Sequence, residues 1–161
     1  MTPVINNESV NKNDITSVAQ NSRNKIVSAL LRSELEPNLG LSGTGQEVSI
    51  MRSTLLRTGI WSEDGGVPQI NLHPENVNMR HMLETIEDFI LETRQNGKTS
   101  FAELYERLTS PEYHIGLRYG LIPIYVAAVM HNYRQQIVIN DRFGPIQTSA
   151  DALIQLSLIH I

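Results

Sequence analysis

The spacing of apolar residues predicts that most of this chain is α-helical. Apolar side chains recur at steps of three, four and seven residues in four stretches before residue 116, which places them on one face of a helix in each stretch. Ser, Thr, Pro and Gly at the ends of these stretches supply start and stop signals. The predicted helices cover residues 14–31, 45–59, 75–97 and 101–110. Thr44 with Glu47 predicts a capping box for the second helix.

Two segments lack this periodicity. Residues 1–13 are rich in Asn, Ser and Lys and are interpreted as a loop or a frayed end. Residues 60–74 are rich in turn-forming residues and are interpreted as the boundary between two parts of the chain. Trp61 is expected to anchor this connection to a hydrophobic core.

The stretch from Gly116 to Thr148 organises the C-terminal part of the chain. Pro123 fits the first turn of a helix, where its missing N–H costs nothing, and residues 124–133 are apolar enough for this helix to be buried nearly all round. A β-hairpin is predicted to follow, because short β-branched runs flank a turn that contains Gly. Its parts are a strand at 137–139, a turn at 141–144 and a strand at 146–148, and Ser149 then caps a last helix.

The order of these elements is helix, short bridge at residues 98–100, helix, helix, strand, turn and strand. That order is typical of a winged helix, a variant of the helix-turn-helix in which the hairpin is the wing. The predicted fold class is therefore mainly α, with a helical segment followed by a winged-helix-like domain that has a small C-terminal β-hairpin. The helical segment covers residues 1–65, with a disordered N-terminus, and the winged-helix-like domain covers residues 72–155.

Charge and composition narrow the class of protein. Thirteen Lys and Arg against seventeen Asp and Glu give a net charge of −4, which has the wrong sign for a module that neutralises phosphates along a duplex. The chain has no Cys, so it has no disulfides and no thiolate metal site, and a cytoplasmic protein is expected. Its longest apolar run, residues 121–130, is half of the ~20 residues that a membrane crossing needs, so no membrane partner is expected.

No set of residues in the sequence predicts catalysis. Gly40 and Gly45 have the spacing of a phosphate-binding P-loop, but Gln46 and Glu47 stand where Lys and Ser or Thr are needed, which favours a structural turn. Four histidines, at 73, 81, 114 and 131, have no second ligand at helical spacing, so no metal is expected. The pair Glu103 and Glu106 is explained by a helix cap and a surface charge. We therefore expect no catalytic residues and no cofactor in this chain.

The first helix is the most basic one. It carries Arg23, Lys25 and Arg32, with no acidic residue between Ile15 and Ser33. A solvated helix face is the favoured interpretation, and contact with an anion or an acidic partner is the alternative.

Aromatic and basic residues near the C-terminal helix and its hairpin form a possible interaction surface. Its members are Arg118, Tyr119, Tyr125, Arg134, Arg142 and Phe143. The helix offers hydrocarbon through its middle and basic residues only at its ends, which favours packing against other protein domains over reading of a DNA groove. A DNA-binding winged-helix regulator is the alternative. A third hypothesis, a small autonomous enzyme, predicts a polar concave pocket with shifted titratable groups.

Three strings, SRNKIVSALL, LGLSGTGQEVSIMRSTLLRTGI and FAELYERLTSPEYHIGLRYGLIPIYVAAVM, carry a family resemblance. Between about Ser22 and Thr148 the chain resembles a region of very large bacterial ATP-binding proteins associated with phage defence, of the bacteriophage-exclusion type. In those proteins a Pro-, Tyr- and Gly-rich turn precedes an apolar helix, and here that turn is 111–116. The resemblance implies a non-catalytic, winged-helix-like segment whose partners are other domains of a larger ATPase.

The last six residues, LSLIHI at 156–161, match the translation of an adapter end used in transposase-based sequencing libraries. We therefore expect that they are not part of the natural protein, and that the chain is a fragment of a longer one. A natural apolar tail is the alternative interpretation.

Overall fold

Five α-helices and two small antiparallel hairpins make up the regular structure of the described residues. The computed structural model describes residues 5–97, 99–133, 139–141, 144–146 and 153, with the backbone alone for 139–141 and 144–146. The helices are α1 (Ser17–Leu30), α2 (Gln46–Met51), α3 (Val77–Asn96), α4 (Phe101–Thr109) and α5 (Ile122–Tyr133). The strands are β1 (Trp61–Ser62), β2 (Gln69–Ile70), β3 (Ile139–Asp141) and β4 (Gly144–Ile146). A mainly α fold with a small C-terminal hairpin is thus confirmed.

The helix starts follow the capping chemistry of the sequence, with one exception. The side chain of Asn76 accepts a hydrogen bond from the Met79 N–H and begins α3, and Ser100 does the same for Ala102 at the start of α4. The capping box predicted for α2 is wrong. Gly45, in an extended conformation, is its N-cap and supplies no side-chain bond, so the helix begins one residue after the predicted Thr44 cap would place it.

Helix α5 lies at the centre of the hydrophobic core. Each residue from Ile122 to His131 is buried, as predicted, and α1 and α3 pack against the helix. The hydroxyl of Tyr125 donates to the carbonyl oxygen of Thr54, at 3.1 Å, in a π-helical turn (Arg52–Leu56) that continues α2. The Nδ1 of His131 lies 2.8 Å from the carbonyl oxygen of Leu30. The apolar surface of α5 is therefore covered by the chain's own helices.

The hydrophobic core contains side chains from both sides of the predicted boundary between the two segments. Ile26 and Leu30 of α1 belong to the same buried cluster as Met82 of α3 and Ile124 of α5. The assignment of separate domains at residues 1–65 and 72–155 stays a prediction.

Both hairpins differ in detail from the prediction. In the 60–74 connection, β1 pairs with β2, and Trp61 is buried as expected, with its indole N–H bonded to the Glu63 carboxylate at 3.1 Å. Strands of two residues are too short to show alternation, so the sequence gives no signal for this pair. In the C-terminal hairpin, Asp141 pairs with Gly144, which places both residues in strands and not in a four-residue turn.

The N-terminal segment (residues 5–13) is a loop that is held against the rest of the chain. Ile5 and Val10 are buried, and the Gly120 N–H donates to the carbonyl oxygen of Lys12 at 2.8 Å. The Asn13 side chain accepts a bond from the Tyr119 N–H at 3.1 Å. The segment was predicted to be a loop or a frayed end, and two buried apolar residues and these bonds show that its residues 5–13 are an ordered loop.

We predict that Gly120→Ala will detach this segment. A Cβ at Gly120 would overlap the carbonyl oxygen of Val10 and lie 2.8 Å from that of Lys12, and backbone atoms cannot move aside as a flexible side chain can. We expect the free energy of unfolding to fall by about 2 to 3 kcal/mol, measured by urea denaturation, and trypsin to cleave after Lys12 faster.

The control is Gly65→Ala. Gly65 has a positive φ of 71° but open space around it, so this variant carries backbone strain without overlap and should cost about 1 to 2 kcal/mol. Equal losses of the free energy of unfolding in the two variants, with an unchanged rate of trypsin cleavage after Lys12, would contradict the prediction.

Candidate functional site

A cleft lined by both polar and apolar groups opens where the start of α1, α4 and the turn before α5 meet. Its volume is about 740 Å³, within the usual range of ligand sites. Residues from the N-terminal segment and α1, from α4, and from the turn into α5 line it. They are Asn13, Asp14, Ile15, Gln20, Arg23, Ala102, Tyr105, Glu106, Thr109, Tyr119, Gly120 and Pro123.

Arg23 is the most unusual residue in this cleft. It lies on the buried side of α1, between Ala19 and Ile26, and is only 6% exposed. Its Nε donates to the side-chain oxygen of Asn24 at 3.2 Å, and its Nη1 lies 3.5 Å from the carbonyl oxygen of Gly120. No carboxylate of the described residues lies within ion-pair distance of its guanidinium. A guanidinium has five N–H donors, so these two bonds leave donors available to a ligand.

Burial affects the electrostatics of Arg23 and its neighbour Tyr105. Burial lowers the pKa of Arg23, and the nearby phenol of Tyr105 raises it. Burial, which is the largest cause, raises the pKa of Tyr105, Arg23 lowers it and Tyr119 raises it, with a net pKa of about 12. Arg23 is therefore a cation and Tyr105 a neutral hydrogen-bond donor at neutral pH.

Arg23 and Tyr105 form the buried floor of the cleft, and Tyr119 extends the cleft lining from this floor toward solvent. Its ring centroid lies 6.0 Å from that of Tyr105, with the two planes 34° apart, and its side chain is 47% exposed. A tilted aromatic pair at this separation is favourable beyond the area that it buries. The pair therefore forms an aromatic wall of the cleft from the buried Tyr105 to the surface.

The rim of the cleft has the opposite charge from its floor. Asp14 and Glu106 both line the cleft, and both are exposed. Their charges lie in water, where interactions are screened, whereas the charge of Arg23 is buried and interacts more strongly with a ligand beside it. The cleft thus combines a buried cation with an acidic rim.

The structure brings only part of the predicted interaction surface to this cleft. Tyr119 lines it, and the adjacent Arg118 is exposed. Tyr125 is not at a surface: it is fully buried in α5, because α1 and the turn after α2 cover that helix. Arg134, Arg142 and Phe143 lie outside the described residues. The expectation that the middle of α5 faces other domains is therefore corrected by its burial within this chain.

Arg23 was assigned to the solvated side of the first helix, and this assignment was wrong. A signal for its burial exists in the sequence, because Ala19, Ile26 and Val27 stand four residues before, three after and four after it, on the same helix face. Tyr105 stands beside Leu104 and three residues before Leu108 on one apolar face of α4, and all three are buried. What the sequence could not show is that α1 and α4 place these two polar groups side by side.

The other candidate motifs of the sequence are explained by the structure around them. Gly40 follows Asn38 and Leu39 in a left-handed turn, and a Cβ at Gly40 would overlap the Glu36 carboxylate, which suits a turn and not a phosphate loop. Glu103 pairs with Arg107, at 3.1 Å, and not with Glu106. Among the described residues there is no group of His, Asp and Glu that could hold a metal ion, and no helix there is long and apolar enough to cross a membrane.

Comparison with known protein families, curated proteins and solved structures finds no match to this chain.

We predict that Arg23→Met will not destabilise the protein. A buried cation without a carboxylate partner has lost hydration, and methionine removes that penalty while its unbranched apolar side chain occupies the space of the arginine stem. The thermal midpoint is expected to stay the same or rise. Arg107→Met is the matched control, because Arg107 is paired with Glu92 and Glu103 and lies over the Phe89 ring, and its loss should cost about 1 kcal/mol. An equal loss of stability in both variants would contradict the prediction and show that Arg23 stabilises the fold.

We also predict a pH dependence that reports on Tyr105. Its folded pKa, about 12, lies above the usual value of 10, so the folded state keeps its proton longer than the unfolded state does. Its contribution to stability is complete below pH 10 and is lost as the pH rises toward 12. In the Tyr105→Phe variant, the free energy of unfolding should fall less steeply with pH in that window, by up to about 1.4 kcal/mol per pH unit, as measured by urea denaturation. Between pH 7 and 9 the free energy of unfolding should change with pH equally in the variant and the unaltered protein. An equal pH dependence above pH 10 as well would contradict the raised pKa of Tyr105.

Proposed function

We propose that this chain is a non-catalytic interaction module of a larger protein, and that the cleft at Arg23 is where a segment of a partner protein binds. The observation that carries this proposal is a buried guanidinium with unused donors, no carboxylate partner among the described residues, and an open cleft beside it. Buried charges are usually paired, and a site that leaves one unpaired is suited to a ligand that completes the pair.

The protonation states of the cleft favour binding over catalysis. The small-enzyme hypothesis predicted a polar pocket with shifted groups; the cleft has a mixed polar and apolar lining and contains two groups whose pKa is shifted by burial. However, general acid or base catalysis is most efficient when a group exchanges its proton near the working pH. Burial raises the pKa of Tyr105 to about 12, away from neutrality, and Arg23 stays charged. These two groups are suited to hold a ligand in place.

The burial of α5 weighs against the alternative of a DNA-binding winged-helix regulator. A recognition helix must present polar and basic side chains to the major groove, whereas residues 122–131 of α5 are buried within the chain. The acidic rim of the cleft and the net charge of −4 also oppose contact with a polyanion.

The resemblance to bacteriophage-exclusion ATP-binding proteins supports a wider setting for this module. In that setting the chain is part of a larger, cytoplasmic, ATP-dependent bacterial protein, and the segment that enters the cleft belongs to a neighbouring domain or subunit. Recovery of the uninterrupted genomic reading frame tests this part. A P-loop ATPase core in the same frame is expected, and a stop codon directly before Met1 would contradict it.

Photo-crosslinking tests the binding site itself. A photoreactive phenylalanine analogue would replace Tyr119 in the full gene product in bacterial cells, because Tyr119 lies in the cleft and is half exposed. We expect adducts with a protein segment, either from another domain or from another chain, identified by mass spectrometry.

Val67 is the control position, because it is 57% exposed and does not line the cleft. Crosslinks to protein from position 119 should clearly exceed those from position 67, because only position 119 lies in the cleft. Adducts with nucleic acid, or equal protein adducts from both positions, would overturn the proposed function.

A further inference from the structure

We infer that the cleft recognises one carboxylate side chain that has a Lys or Arg beside it in the partner segment. This inference rests on the proposed function and adds the chemistry of the ligand. Its basis is the arrangement of Arg23 and Tyr105 on the buried floor and of Asp14 and Glu106 on the exposed rim.

The floor of the cleft suits a carboxylate. Arginine presents a planar fork of donors that matches the two oxygens of a carboxylate, and such charged hydrogen bonds are roughly twice as strong as neutral ones. Nε and Nη1 of Arg23 donate to Asn24 and Gly120, which leaves Nη2 and the second hydrogen of Nη1 for a ligand. Tyr105, buried beside Arg23, carries a phenol that can add a further donor.

The rim of the cleft limits the ligand to a single negative charge with a cation nearby. Asp14 and Glu106 would repel a phosphate dianion, a run of acidic residues or a nucleic acid strand at the entrance. The same two carboxylates attract an ammonium or guanidinium group that lies outside the cleft when the acid is inside. A Glu or Asp that is flanked by Lys or Arg meets both conditions.

The size and walls of the cleft favour a peptide segment over a free small acid. A volume of about 740 Å³ exceeds what one carboxylate group fills. Tyr119, Ile15 and Pro123 give the cleft apolar and aromatic walls, against which the stem and backbone of a peptide can pack.

Titration of the 161-residue chain with two blocked peptides tests the inference. The first is acetyl-Gly-Lys-Glu-Lys-Gly-amide, and the second carries Gln in place of Glu. Nitrogen–proton NMR spectra would follow the Arg23 Nε–H signal and the backbone amides of Tyr105 and Tyr119 at low salt. We expect the Glu peptide to bind about tenfold more tightly than the Gln peptide, which is the gain expected from charged hydrogen bonds.

Variants of the floor and the rim separate the two parts of the inference. Arg23→Met should abolish the preference for Glu over Gln, and Arg23→Lys should keep only part of it, because an ammonium lacks the planar fork. The double variant Asp14→Asn with Glu106→Gln should weaken binding of the Glu peptide about threefold and strengthen binding of inorganic phosphate, because its rim no longer repels anions. Inorganic phosphate and acetate are titrated alone as reference anions.

Three results would overturn the inference: equal affinity for the two peptides, a preference that persists in Arg23→Met, or saturation of the same signals by acetate or phosphate as readily as by the Glu peptide. Because the peptide preference is measured in the unaltered chain, poor folding of a variant leaves the main test intact. Equal peptide affinities together with protein crosslinks from position 119 would contradict the recognition of a carboxylate, while the proposal that a partner protein binds at the cleft would stand. Failure of both experiments would remove the proposed function as well.

Discussion

The burial of α5 on all sides is the constraint on which the rest of this structure depends. A helix that is apolar around its whole circumference can be stable in water only if other elements cover every face. Here α1 and α3 pack on it, and the π-helical turn after α2 accepts a hydrogen bond from Tyr125. The N-terminal part of the chain is therefore needed to cover the C-terminal helix, and residues 5–13 extend that cover across the turn at Gly120.

This arrangement also determines where the cleft lies. Helix α1 runs along α5, so its first turns pass the turn that precedes α5, and Arg23 reaches the carbonyl oxygen of Gly120. Helix α4 approaches the same point from the other side, with Tyr105 facing inward. Three elements that are brought together by the core thus leave an open cleft beside them, and the residues around it come from distant parts of the sequence.

The sequence predicted those features that depend on local pattern. The helical period located the first four helices, and the apolar run that follows Pro123 located the fifth, with Pro123 in its first turn because of its missing N–H. The sequence failed where tertiary contacts decide. Residues 5–13 are held in place because Ile5 and Val10 are buried against distant parts of the chain. The cleft depends on the meeting of α1 with α4, which no periodicity within one helix can show.

The placement of Arg23 relates the cleft to the stability of the protein. At its position on α1, between Ala19 and Ile26, a leucine or methionine would pack without any loss of hydration. The guanidinium instead has a side-chain amide and one distant backbone carbonyl as its recorded acceptors. Its burial is therefore unfavourable for the folded chain alone and becomes favourable when an anionic group enters the cleft. Because the same residue weakens the unliganded state and strengthens the liganded one, a ligand that brings a carboxylate gains more from Arg23 than from an exposed cation, whose charge water already stabilises.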